Sequence, residues 1–138
     1  MTSLYLDTSA ILKRYLDEEF SQQCEEIIAE YSDIYLSQVG VTETLINLRK
    51  RLSTQEFAIA SKLFEDDIAT FNIIVFDRKL SYSAVEISQG TILATLDAIH
   101  IASALKIRDP RVDFLTYDKA QHKAAKSLGL KTPGLKSR

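Results

Sequence analysis

The sequence is poor in the residues that staple, punctuate or anchor a chain. Its single cysteine, Cys24, forbids an internal disulfide and a thiolate zinc centre, and two histidines are too few for an imidazole-rich one. A reducing, cytoplasmic setting fits that usage. Two prolines and four glycines leave little material for linkers, and no internal repeat is present. No apolar run approaches the roughly 20 residues of a membrane span, and residues 1–12 lack a positively charged segment ahead of the apolar stretch. The net charge of −2 carries no basic excess of the kind that marks many nucleic-acid binders, so any such function has to come from local clustering. What remains is a chain of 138 residues, 46% of them hydrophobic, which is enough for one domain over residues 1–138 with a core of its own.

That domain is organised around Leu4-Tyr5-Leu6-Asp7-Thr8-Ser9-Ala10. A short apolar run ends in an acid, and helical spacing (Ala10, Ile11, Leu12, Tyr15, Leu16) begins at once, so a strand feeds a helix over residues 8–17. The same reading predicts helices at 21–31, 39–52, 53–70, 81–89, 95–106 and 119–128. Strands are predicted at 34–36, 73–76, 112–117 and 130–132. Gly90 and Gly129 stop two of the helices, Asp109-Pro110 makes a turn, and the helix over 95–106 is apolar all round, as a buried helix is. Strands separated by helices imply an α/β fold, a central parallel sheet with helices on both faces.

Ligands of such sheets sit beyond the carboxyl ends of the strands. Two predicted strands end there in an acid, Asp7 and Asp118, while Asp97 opens the buried helix and Glu43 lies early in an amphipathic one. Asp7 and Asp118 also suit helix N-caps, and Asp97 suits a first turn, where a carboxylate meets unpaired amides and the positive end of the dipole. Glu43 resists that reading because it stands past the cap among apolar neighbours, where an unpaired acid is costly. Four acids at one sheet edge would repel unless a cation joined them. An all-oxygen set suits Mg²⁺ or Mn²⁺, ions that take phosphate oxygens as remaining ligands, and the chemistry implied is phosphodiester hydrolysis.

Tyr5-Leu6-Asp7-Thr8-Ser9-Ala10, Val41-Thr42-Glu43-Thr44-Leu45, Thr95-Leu96-Asp97-Ala98-Ile99-His100 and Phe114-Leu115-Thr116-Tyr117-Asp118 together resemble the four signature blocks of the PIN-domain ribonucleases, and more narrowly the VapC toxins of toxin–antitoxin pairs. The blocks span almost the whole chain in the family's order. The resemblance implies a three-layer α/β/α sandwich around a parallel sheet. It also implies Mg²⁺ or Mn²⁺ at Asp7, Glu43, Asp97 and Asp118, RNA as substrate with 5′-phosphate and 3′-hydroxyl products, a homodimer, and a cognate antitoxin. A hydroxyl beside the first acid, Thr8 or Ser9, is then expected to face the site, with Asp7 and Asp118 touching metal. Gly40-Val41 departs from the basic or polar residue often found before the glutamate.

Two rival readings are a catalytically silent PIN-like binding module and an aspartate-nucleophile phosphatase. The second needs an aspartate two residues after Asp7, where this chain has Ser9. His100 is read as a hydrogen-bonded core residue outside the site. Arg14, Arg49-Lys50-Arg51 and the tail cations Lys131, Lys136 and Arg138 are candidates for phosphate contact. Ile46, Ile59, Leu63 and Phe71 fall off the main apolar stripes of the 39–70 hairpin, which is therefore expected, with the first two helices, to form a dimer or antitoxin surface.

Overall fold

A computed structural model of the chain describes residues 2–90, 92–107 and 112–134. The elements in order are β1 (Ser3–Leu6), α1 (Thr8–Leu12), α2 (Ser21–Ala29), β2 (Asp33–Ser37), α3 (Gln38–Arg51), α4 (Thr54–Ile68), β3 (Asn72–Ile74), α5 (Arg78–Gln89), α6 (Thr95–Leu105), β4 (Val112–Leu115) and α7 (Lys119–Ser127). The strands form one parallel sheet in the order β3-β2-β1-β4. β1 lies inside it and is buried along its whole length, as its unbroken apolar reading requires. Because all strands run the same way, their carboxyl ends share one edge.

Side-chain alternation along β1 divides the core. Leu4 and Leu6 join Ile34, Leu36 and Leu115 under Ala10, Ile11, Cys24, Ile28 and Phe64 of α1, α2 and α4. Tyr5 points the other way, with Val112 and Phe114, against Ile101 and Ala104 of α6 and Ala124 and Ala125 of α7. Helices therefore cover both faces, in the three-layer arrangement expected. α6 is buried without interruption from Ala98 to Ala104, and no described helix is long and apolar enough to cross a membrane.

The structure moves several boundaries. Residues 130–132 form no strand: Leu130 is a core residue, the Lys131 carbonyl accepts from Phe114 N at 2.8 Å, and a single bridge joins Thr116 to Gly134. Gly134 has φ +94°, and a Cβ there would meet Leu115 Cδ1 at 2.9 Å, so this approach to the sheet needs glycine. α5 begins at Arg78 rather than 81 because Asp77 caps it, accepting from Leu80 N at 2.9 Å. α1 gives way after Leu12 to tightened turns in which Lys13, Arg14 and Tyr15 each bond the carbonyl three residues back. β3 stops at Ile74, and Val75 and Phe76 lie exposed beyond it. The Asp109-Pro110 turn and the tail cations Lys136 and Arg138 lie outside the described residues.

α4 is fastened to this frame by the Ser53/Glu56 capping box, in which each side chain accepts from the other's backbone, and by Phe64, which is fully buried and meets the Tyr15 ring edge-on at 5.4 Å. Phe64→Ala is expected to cost about 3–5 kcal/mol in urea denaturation. Ile59→Ala, at a side chain 65% exposed on the same helix, is expected to stay within about 0.5 kcal/mol of the parent. Similar losses at the two positions would mean that α4 does not seat on the sheet through this ring.

Candidate active site

Helices α1, α3 and α7 start at the carboxyl edge of the sheet, each capped by the side chain that ends or follows a strand. Asp7 accepts from Ala10 N, Ser37 from Val39 N and Asp118 from Gln121 N. α6 adds Asp97 in its first turn. Cap and cluster are thus not alternatives: Asp7 and Asp118 cap helices and stand at the edge where the other acids gather. Their shared field shows at Asp97, whose carboxyl is pushed above the ordinary range by burial and then by the charges of Asp118, Asp7 and Glu43.

Asp7 is 3% exposed. Its Oδ1 accepts from Ser9 Oγ at 2.6 Å and Ala10 N at 3.1 Å, and its Oδ2 from the Thr116 hydroxyl and from Gln121 Nε2 at 3.1 Å. A carboxylate has about four lone-pair sites, and here each has a donor. Burial still pushes the carboxyl up, against the pull of His100 and these hydrogen bonds. Ser9 is itself held by Tyr117 N, which donates to its Oγ at 2.8 Å. Gln121 is fully buried, and its Oε1 has no partner among the described residues.

Glu43 is met by two donors. Thr8 Oγ1 donates to Oε1 at 2.7 Å, and His100 Nε2 lies 2.7 Å from the same oxygen. Burial works to raise this carboxyl, but the hydrogen bonds from His100 and Thr8, with the imidazole's charge, outweigh it and hold Glu43 below the ordinary range. The charges of the other three expected acids reach Asp97, and Thr8 and Ser9 donate directly to Glu43 and Asp7. His100 was expected outside the site. It is the hydrogen-bonded core residue foreseen, but its second nitrogen reaches Glu43. Thr116 and Gln121 were not foreseen, although their places, two before and three after Asp118, put them at a strand end and in the first turn of α7.

Arg14 is drawn elsewhere, pairing with Asp67 at 3.2 Å and Glu25 at 3.6 Å and lying over the Phe71 ring. Arg51 pairs with Glu18 at 2.7 Å. Among the described residues neither forms an ion pair with the four acids.

Among the described residues no three of the His, Cys, Asp and Glu side chains are gathered closely enough to enclose an ion as they stand. Mg²⁺ asks for less than a cage, since it keeps several waters and binds through one or two carboxylates. The donor set fits such an ion: it is all oxygen, Asp118 is exposed, and Asp97 accepts no hydrogen bond among the described residues while its neighbours penalise its charge.

Residues 4–127 match the family model of the PIN domain. No curated protein matches the sequence. Among solved structures, the chain is similar to FitAcB from Neisseria gonorrhoeae at 19% identity, TM-score 0.73, covering 94% of this chain and 95% of that one. It is similar to VapC20 of Mycobacterium tuberculosis, described as a sarcin-ricin loop cleaving toxin, at 14% identity, TM-score 0.71, covering 92% and 95%. A third similar structure is VapBC2 from Rickettsia felis, bound to a promoter DNA fragment, at 16% identity, TM-score 0.68, covering 95% and 98%. At these identities the likeness is one of fold.

The burial of Asp7 has a measurable sign. The folded chain holds this proton more tightly than the unfolded chain, whose value is near 3.8, so its contribution to stability is greatest below that value and is lost as pH rises through the raised one. Asp7→Asn keeps the Oδ1 cap, and Gln121 can turn its unpartnered Oε1 toward the new amide. In EDTA at neutral pH the variant is expected to melt at or above the wild-type temperature, with the advantage gone near pH 3.8. A variant melting more than about 3 °C lower by circular dichroism would show that the carboxylate stabilises the metal-free fold.

Proposed function

The chain belongs to the PIN-domain family, and from that premise we propose that it is a divalent-metal-dependent endoribonuclease, the toxin of a VapBC-type toxin–antitoxin pair. The observation that carries the reading is the shared field of the four acids, seen in Asp97, whose charge is disfavoured by Asp118, Asp7 and Glu43 together. A scaffold has no use for that repulsion, which speaks against the silent binding module. The similar structures support the direction, since one is described as a toxin that cleaves the sarcin-ricin loop and another as a toxin–antitoxin complex from Klebsiella pneumoniae.

Mg²⁺ or Mn²⁺ at this site supplies charge neutralisation, an activated water and in-line orientation of the scissile phosphate. Asp97 and Asp118 offer the open oxygens for it. Glu43, held ionised by His100 and Thr8, keeps a negative charge available to the cup. Asp7 joins the ion set by exchanging one of its four donors, and the hydroxyls of Thr8 and Ser9 are the candidate RNA contacts of the strand-to-helix turn, which Arg14 joins only on release from Asp67 and Glu25. Purified protein is expected to cut structured RNA with Mn²⁺ and to stop when EDTA is added. Asp97→Asn should abolish cleavage and most of the Mn²⁺-induced rise in melting temperature, which at 100 times Kd amounts to about 2.7 kcal/mol. Cleavage that survives full chelation would sink the metal mechanism.

The partner surface we propose is narrower than the sequence suggests. Ile46, Ile59 and Leu63 are 49%, 65% and 54% exposed on α3 and α4, and Phe20 adds an exposed ring at the start of α2. Phe71 packs against the core instead. An antitoxin or a second copy would cover the exposed set, for which apolar contact is the natural driving force. Ile59→Asp with Leu63→Asp is expected to leave the melting temperature within about 3 °C of the parent and to abolish co-purification with a co-encoded antitoxin or self-association by light scattering. Retention of both associations would place the partner surface elsewhere.

A further inference from the structure

One imidazole ties the acidic cup to the core of the opposite layer. His100 is 2% exposed on α6, with Nδ1 at 2.7 Å from the Tyr5 hydroxyl and Nε2 at 2.7 Å from Glu43 Oε1 and 3.2 Å from Thr8 Oγ1. Tyr5 is fully buried. Its ring stacks on Phe114 at 5.3 Å and meets the His100 ring edge-on at 5.9 Å, so neither ring has room to turn.

The protons follow from the pattern of donors and acceptors. Thr8 spends its single proton on Glu43 Oε1, so that oxygen is an acceptor. Nε2 therefore carries the hydrogen that lets it stand 2.7 Å from the same oxygen, and the Tyr5 hydroxyl holds the ring from its other side at Nδ1. A second observation shows that the backbone is shaped around this ring. Gly40 sits in the first turn of α3, where glycine costs about 1 kcal/mol relative to alanine, and a Cβ there would lie 3.2 Å from His100 Cε1.

We propose that His100 is a positioning residue: the Tyr5 hydroxyl holds the imidazole ring in place at Nδ1, and Nε2 fixes Glu43 through Oε1 and presents Oε2 to the acidic cup. The inference concerns the site that carries the nuclease reading and rests on that reading for its kinetic consequence, while the ring shifts test it independently. Partners of this kind set the orientation of a liganding group, and their removal costs about ten- to a hundredfold in metal affinity or activity.

The test begins on the metal-free protein without RNA. Ring ¹⁵N shifts of His100, distinguished from those of His122 by comparison with His100→Gln, are expected to show a hydrogen on Nε2. An Nε2 that carries no hydrogen would overturn the proposal. In Tyr5→Phe, which keeps the ring stack but loses the contact at Nδ1, the ring shifts are expected to move, and kcat with Mn²⁺ to fall about tenfold with KM unchanged. His100→Gln, which retains a donor for Glu43, should keep about tenfold more kcat than His100→Leu. Wild-type shifts and kcat in Tyr5→Phe, or equal loss in the two His100 variants, would reduce the imidazole to packing. If wild type cuts no RNA, the nuclease reading fails while the ring shifts still decide whether Nε2 donates to Glu43.

Discussion

A carboxylate taken out of water at the end of an inner strand has to be answered by donors, and the arrangement of this molecule follows from how Asp7 is answered. Its four hydrogen bonds come from the turn it begins (Ser9, Ala10), from the end of β4 (Thr116) and from the first turn of α7 (Gln121). The last two are in place only because β1 pairs in parallel with β4. Even so, burial keeps the charge unfavourable. The site is thus stabilised enough to exist and left strained enough to welcome positive charge, a condition that a well-satisfied structural acid would not meet.

The second acid is treated in the opposite way. Glu43 comes from α3, on the flank of the cup, and the donors reaching it pull its proton affinity down rather than leaving it up. Two carboxyls in one cup are therefore driven apart in their hold on a proton: Asp97 is raised by burial and then by like charges, whereas Glu43 is lowered, against its burial, by an imidazole and a hydroxyl. Such divergence lets neighbouring acids keep different protonation states at one pH.

The layered fold was legible because its signals are local. The unbroken apolar β1, the all-apolar α6 and the acids at strand ends each identify themselves over a few residues. The four acids were legible for the same reason, since each interrupts an apolar context. His100 was misplaced because its two ring nitrogens serve different layers: the Tyr5 contact, which makes it core, and the Glu43 contact, which makes it part of the site, both span more than 50 residues. Gln121 was missed because a polar residue beside His122 and Lys123 carries no local sign of burial, and only the fold brings its amide to Asp7. The missed start of α5 was a failure of another kind, because Asp77 is an ordinary cap hidden behind the apolar run that precedes it.

The register of the sheet also sets an order in time. Asp7 leaves the ribosome well ahead of two of its four donors, which lie 109 and 114 residues downstream, and the strand that completes its surroundings starts at Val112. Contacts of such separation form late, after the loop-closure entropy of nearly the entire chain has been overcome. A nascent or prematurely terminated chain ending before β4 carries Asp7, Glu43 and Asp97 but lacks Thr116 and Gln121, which hold the first of them. Assembly of the cup is thereby deferred until α7 has been made, so the topology acts as a delay built into folding.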